Sequence, residues 1–225
     1  MSKLLDAFKK TLAIDDVVLS QNRGVNKQIL INHNWGNMSL SLEDYTTKMT
    51  KTAADQFEKG QFVRQLVYNA VDADCDNINV NYERDNKTNT TTITFEDDGV
   101  GMDLGDIKNY LLCVFGSKHR GKKAKIGEFG LGLLSVFSED VEKVKVETTM
   151  KNETYLVTLD PPKKGYLGDI VRKDESNEQD GTIITMELKE SREAYQQRES
   201  LLLSELELCS TQVNPTINYQ GKEVK

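Results

Sequence analysis

Apolar residues at helical spacing open the chain: Leu4, Leu5, Phe8 and Leu12 predict an amphipathic helix over the first dozen positions. Residues 15–40 are rich in Asn, Gly and Gln and read as loop, with one strand at Ile29 to Ile31. Ser41 with Asp44 marks a capped start, and a helix follows over 42–57 until Gly60 breaks it. A second helix runs from Gln61 to about Cys75. Strict alternation then takes over at Ile78, Val80 and Tyr82, and it resumes at Ile93 and Phe95 after the polar stretch 85–89, which predicts a hairpin. Residues 104–115 and 130–137 read as helices, 143–149, 153–159 and 182–188 as strands, and 191–209 as a charged amphipathic helix. Ile217 and Tyr219 give a short last strand. Pro161, Pro162, Gly165 and Gly168 make 160–180 a long surface loop. Strands come in hairpins more than in strand–helix–strand crossovers, so the expected class is α+β: a two-layer sandwich of a mixed, mainly antiparallel sheet with helices on one face.

Composition narrows the function. The chain has 225 residues, enough for one domain with a sizeable core plus an appendage, read as an N-terminal extension over 1–50 and a domain over 51–225. Acids outnumber bases 36 to 29, for a net charge of −7, which leaves no basic footprint for nucleic acid. No apolar run is long enough to span a bilayer, and the charged N-terminus lacks the apolar segment of a secretory signal. Cys75, Cys113 and Cys209 are far apart and odd in number, so neither a disulfide framework nor a zinc site is expected, and a reducing, cytoplasmic home fits. His33 lies beside Trp35 among asparagines, with too few ligands nearby for a metal. His119 sits in a basic loop.

Chemistry concentrates in four places. On the second helix, Phe-Val-Arg-Gln-Leu-Val-Tyr-Asn-Ala-Val-Asp-Ala over 62–73 puts Gln65, Asn69, Asp72 and Ala73 on one face, with Leu66 and Ala70 on the other. A solvated polar face is the plain alternative. The sequence Phe-Glu-Asp-Asp-Gly-Val-Gly-Met over 95–102 runs a strand into Asp97, whose carboxylate can accept from an exocyclic amine. Gly99 and Gly101 then let the backbone turn and a ligand approach, though an ordinary Asp/Gly turn would read the same way. Ile-Gly-Glu-Phe-Gly-Leu-Gly-Leu over 126–133 leads three glycines into a helix start, where free N–H groups suit phosphate. Gly181-Thr182 opens a strand and says little alone.

Taken in order, these four boxes resemble those of the GHKL ATPases, the superfamily of gyrase, the ninety-kilodalton heat-shock chaperones, sensor histidine kinases and MutL. Residues 62–73 are similar nearly word for word to the chaperones' Phe-Leu-Arg-Glu-Leu-Ile-x-Asn-Ala-x-Asp-Ala, and the resemblance covers roughly 60–190. It implies the Bergerat ATP-binding fold, with ATP and Mg2+ as cofactors. Asn69 would ligate magnesium, and Asp97 would accept from the adenine amino group. Gly99, Gly101 and Met102 would line base and sugar, with Asp72 and Ala73 beside them. Ser117 and Lys118, in a lid over 116–125, would reach phosphates, and Gly127, Gly130, Leu131, Gly132 and Leu133 would offer them backbone N–H groups. Thr182 would bond near Asp97. A nucleotide-dependent homodimer is implied as well, with residues 4–12 a candidate exchanging segment, and client protein or nucleic acid as partners through further domains.

Two departures qualify the resemblance. The lid is short, which also resembles the MORC-like and MutL-like branches. Gln65 stands where the chaperone and MutL families carry the Glu that acts as general base. A neutral amide cannot take a proton from water, so hydrolysis is expected to be impaired. Gln65 is either native, in a slow ATPase or an ATP-binding pseudoenzyme or interaction module, or an introduced Glu→Gln change that holds ATP; the intact state of the other boxes favours the second. A histidine kinase reading ranks below these, because no phosphoacceptor helix is recognisable. No client-binding domain follows residue 225, so the chain is read as a truncated piece or a stand-alone module.

Overall fold

The structure, a computed structural model, describes residues 14–19, 28–33, 36–41, 51, 54, 55, 57–107, 111, 132–161, 168–173 and 179–225, the first three segments as backbone. The chain divides into two compact units, Met1–Met49 and Thr50–Lys225. In the first, β1 (Ile14–Leu19), β2 (Gln28–His33) and β3 (Gly36–Ser41) form an antiparallel sheet in that order. Two of these strands fall where the sequence reads as loop. Their Asn, Asp and Ser content hides the alternation, and cross-strand pairing (Ile31 with Met38, Val17 with Ile31) overrides weak intrinsic preference. The expected helix over the first dozen residues lies outside the described residues, as does most of the one expected over 42–57, of which Lys51 and Ala54 are helical, with Lys51 O accepting from Asp55 N–H at 2.9 Å.

The second unit holds an eight-stranded sheet. Its strands are β4 (Asn77–Asp85), β5 (Thr90–Asp97), β6 (Val141–Met150), β7 (Glu153–Leu159), β8 (Gly168–Lys173), β9 (Gly181–Lys189), β10 (Thr216–Tyr219) and β11 (Lys222–Glu223). The spatial order is β11-β10-β4-β5-β9-β6-β7-β8. Every neighbouring pair is antiparallel except β10 with β4. The mixed, mainly antiparallel α+β sheet read from the sequence is the one observed. β8 is a correction: it lies inside the stretch read as a loop, because only six residues between Pro- and Gly-containing segments carry the strand signal. As an edge strand it needs a single partner, β7.

Alternation fixes the buried face. Ile78, Val80 and Tyr82 on β4, Ile93 and Phe95 on β5, Val144 and Val146 on β6, and Ile184, Met186 and Leu188 on β9 all point to one side. Against that side lie two helices, α1 (Gln61–Asp72) and α2 (Arg192–Ser210). α1 buries Phe62, Val63, Leu66, Val67 and Ala70, and α2 buries Leu202, Leu206 and Cys209, each at spacings of three and four. Phe62 meets Phe95 edge to face at 6.1 Å between centroids. Burying one such side chain is worth about 1.5–3 kcal/mol. α2 starts at Ser191, whose hydroxyl accepts from Ala194 N–H at 3.2 Å, and it is held along α1 by Arg64–Glu205 at 2.9 Å. No helix among the described residues is long and apolar enough to cross a membrane.

The helix expected over 104–115 is helical where it is described: Leu104–Asp106 is capped by Asp103, Ile107 and Leu111 continue in a wider, π-type winding, and the rest of 108–115 lies outside the described residues. The next expected helix changes character. Leu133–Ser138 is a 3-10 helix. Its serines explain the tighter winding: Ser135 Oγ donates to Gly132 O at 2.5 Å and Ser138 Oγ to Ser135 O at 2.7 Å, three residues back, which reinforces the 3-10 pattern over the α pattern.

Candidate functional site

α1 carries the site along its length. Gln65, Asn69, Asp72 and Ala73 are all half-buried, between the apolar stripe and solvent. At the first end, Gln65 and Asn69 converge on Gly132, the residue that opens the 3-10 helix. A Cβ built on Gly132 would stand 3.1 Å from Asn69 Oδ1 and 3.5 Å from Gln65 Oε1. Two side-chain amides therefore face one backbone start, with no bulk between them. Gln65 to Ala73 spans about 12 Å of helix axis at 1.5 Å per residue.

At the other end, Asp97 closes β5. It pairs in register with Ile78 on β4 and Thr182 on β9. Its Oδ1 accepts from Gly99 N–H at 3.0 Å, and Ala73 O accepts from Val100 N–H at 3.0 Å, so the turn after β5 is stitched to the end of α1. Gly101 has φ +66°, and a Cβ there would lie 1.9 Å from Thr149 O, so only glycine lets the chain pass. Burial pushes the Asp97 carboxyl up to about 6, against the pull of the Gly99 and Thr182 N–H groups and with a further push from Asp98 and Glu96.

The neighbouring Asp98 behaves oppositely. Its Oδ1 accepts from the N–H groups of Asp76 and Asn77, both at 2.8 Å, and its Oδ2 accepts from the Asn77 side-chain amide at 2.8 Å. Burial alone would raise it, but these bonds hold it below its usual range. Asp98 ties the turn to the start of β4, and Asp97 ties it to Gly99.

Thr182 is buried, and its hydroxyl lies 3.2 Å from that of Thr148 on β6. Thr148 Oγ1 also accepts from Met102 N–H at 2.9 Å and donates to Gly181 O at 3.2 Å. Thr148 and Asp98 were not singled out from the sequence. The signal for Thr148 is a hydroxyl on an inward position that Val144 and Val146 otherwise keep apolar. Met102 and Leu133 are half-buried against the core.

The structure thus brings together Gln65, Asn69 and Gly132 at one end, and Ala73, Asp97, Gly99, Gly101, Met102 and Thr182 at the other. Asp72 lies between them on α1 and is engaged with neighbours. Ser117, Lys118, Gly127, Gly130 and Leu131 lie outside the described residues. Among the described residues no group of three or more His, Cys, Asp or Glu side chains could hold a metal. A cavity of about 630 Å³ opens beside the Asp97 end, lined by Asn79, Glu96, Asp97, Glu147 and Asp180 among others; it shares Asp97 with the site and touches none of Gln65, Asn69 or Gly132.

The family profile described as histidine kinase-, DNA gyrase B-, and HSP90-like ATPase matches residues 59–193, more than half of the chain. No curated protein matches it. The profile begins at the cap of α1 and ends inside α2, so both ends of the site and every strand between them fall within it. Over that span the chain is an ATP-binding domain, and it belongs to this GHKL-type ATPase family.

Proposed function

We propose that residues 51–225 bind ATP with magnesium along α1, as the nucleotide-switch domain of a chaperone-like or MORC/MutL-like ATPase whose hydrolysis is impaired by Gln65. The observation that carries this reading is the convergence of Gln65 Oε1 and the Asn69 amide on Gly132, with Asp97 two helical turns further on. That spacing suits a ligand with a phosphate chain at one end and an amine-bearing base at the other.

The residues present fit the ion. Asn69 offers a single hard oxygen, and the carboxylate cluster of a dedicated metal cage is missing among the described residues. Magnesium prefers that situation, since it keeps waters and phosphate oxygens as its other ligands. When bound it neutralises phosphate charge. Asp97 accepts from the adenine amino group; guanine would present a carbonyl there, acceptor against acceptor. Gln65 hydrogen-bonds a water near the terminal phosphate but cannot take its proton. Nucleotide-driven pairing of two copies is part of the proposal on family grounds. The non-hydrolysing pseudoenzyme is the second reading, favoured by the same Gln65.

Calorimetric titration with ATP and GTP, with and without magnesium, is the test. ATP should bind, GTP should not, and Asp97→Asn should weaken ATP at least about tenfold, because it turns a donor toward a donor in a buried site. Equal affinity of wild type and Asp97→Asn removes Asp97 from the adenine site.

A further inference from the structure

The cap of α1 makes no side-chain bond of its own, and the first turn's local side-chain contact is Gln61 Oε1, which accepts from Glu58 N–H at 3.2 Å and leaves Gly60 N–H unserved. That cap is Gly60, at φ +86° and ψ −20°, with no acid in the first turn. Gly60 is buried against α2, where a Cβ would meet Leu201 Cδ2 at 2.7 Å. What holds it comes from 79 residues away: Glu139 Oε1 accepts from Gly60 N–H at 2.8 Å. Glu139 is the residue that ends the 3-10 helix begun at Gly132. Its side chain is fully buried, and its other oxygen, Oε2, accepts from Arg198 Nη1 on α2. Arg198 in turn donates through Nε to Glu190 Oε2 at 2.9 Å, and Glu190 Oε1 accepts from Tyr82 OH at 3.3 Å.

These contacts close a frame. α1 runs from Gly60 to Gln65 and Asn69, whose amides face Gly132. The 3-10 helix runs from Gly132 to Glu139, and Glu139 returns to Gly60. One buried carboxylate thus fixes two elements that meet again at the proposed phosphate end. The adenine end is secured separately, by Val100 on Ala73, Gly99 on Asp97 and Met102 on Thr148. Burying a carboxylate is costly unless both oxygens are satisfied, and here both are, each by a different element.

We infer that Glu139 is a positioning residue for the phosphate end of the site: it sets Gln65 and Asn69 against Gly132 by latching the start of α1 to the end of the 3-10 helix, with Arg198 holding the latch in place. This rests on the ATP reading above and adds a residue that touches neither ligand nor reacting atoms. In Glu139→Gln one acceptor oxygen serves two donors, and the charged Arg198 is the stronger claimant. Gly60 N–H then loses its partner, and the first turn of α1 shifts or frays toward Gln65. Arg198→Lys keeps a charge for Glu139 while losing the two-pronged geometry, so it should lower stability yet leave the bond to Gly60.

The experiment is calorimetric titration of wild type, Glu139→Gln and Arg198→Lys with a non-hydrolysable ATP analogue plus magnesium, and with adenosine, beside amide exchange at Gly60. Loss of a buried hydrogen bond of this kind predicts about a tenfold drop in affinity for the ATP analogue in Glu139→Gln. Adenosine affinity should stay within about twofold. Exchange at Gly60 should quicken. Arg198→Lys should melt earlier with the ratio of the two affinities unchanged. If Glu139→Gln does not fold, Glu139→Asp, one methylene too short to reach both donors, is read in the same two ligands. A ratio unchanged in the Glu139 variant, or equal losses for both ligands, overturns the latch alone. Wild-type protein that takes up neither ligand overturns the nucleotide reading first, and the latch with it.

Discussion

Thr148 and Thr182 sit across from each other on β6 and β9 with their hydroxyl oxygens 3.2 Å apart. The same Thr148 oxygen receives Met102 N–H at 2.9 Å, so one inward hydroxyl joins two strands and the turn that follows Asp97. Thr148→Val keeps the shape and deletes all of this. It leaves Met102 N–H without its partner, which should cost about 1–3 kcal/mol. Urea denaturation should show a lower midpoint at unchanged slope, with ATP affinity falling too if the proposed adenine end includes Met102. A variant as stable as wild type would mean that water replaces the hydroxyl.

Asp97 makes opposite demands on stability and binding as pH changes. Its folded value of about 6 lies above the ordinary 3.8, so between those values the folded protein holds a proton that the unfolded chain has given up. The stability from this group is fully present below about pH 3.8 and is lost as pH rises through about 6. Asp97→Asn does not titrate. Its melting temperature should gain on that of wild type from pH 4 to pH 7, and the gain should level off above that. ATP affinity of wild type should move the other way, falling as pH drops below about 6 and the acceptor is protonated. Parallel melting curves of the two proteins across this range would exclude a raised Asp97.

Gln65→Glu places at this position a group that can take a proton from water. General-base assistance is worth roughly 10²–10⁴-fold in rate. Single-turnover hydrolysis should rise by about that factor in Gln65→Glu while ATP affinity changes little, since Glu and Gln match in size. A Glu variant that binds equally and turns over no faster would show that position 65 is not the base position.

Much of the frame can be read from sequence because burial there is periodic. Ile78, Val80 and Tyr82 against Ile93 and Phe95 determine a hairpin before any partner strand is known, and the face of α1 that carries Gln65 and Asn69 follows from helical spacing. β8 and two strands of the first sheet are harder to see, since short edge or polar strands are defined by their neighbours. Thr148 and Glu139 escape for a related reason. Each acts through partners dozens of residues away, Thr182 and Met102 for one, Gly60 and Arg198 for the other; the alternation with Val144 and Val146 marks Thr148 as inward but not what it bonds, and nothing local distinguishes Glu139 from a surface glutamate. The 3-10 winding at Leu133–Ser138 could have been anticipated from Ser135 and Ser138, three residues apart.

The sheet order has a consequence for how the chain is made. β4 and β5 are adjacent in sequence and can pair as soon as both leave the ribosome, yet their outer neighbours, β10 and β9, are synthesised far later. Until residues 181–189 emerge, the strand ending in Asp97 presents an open edge, and Ile93 and Phe95 lack much of their cover. The pairing of Thr182 with Asp97 is therefore completed late in translation. A ligand held at the turn after Asp97 stabilises only a nearly finished domain.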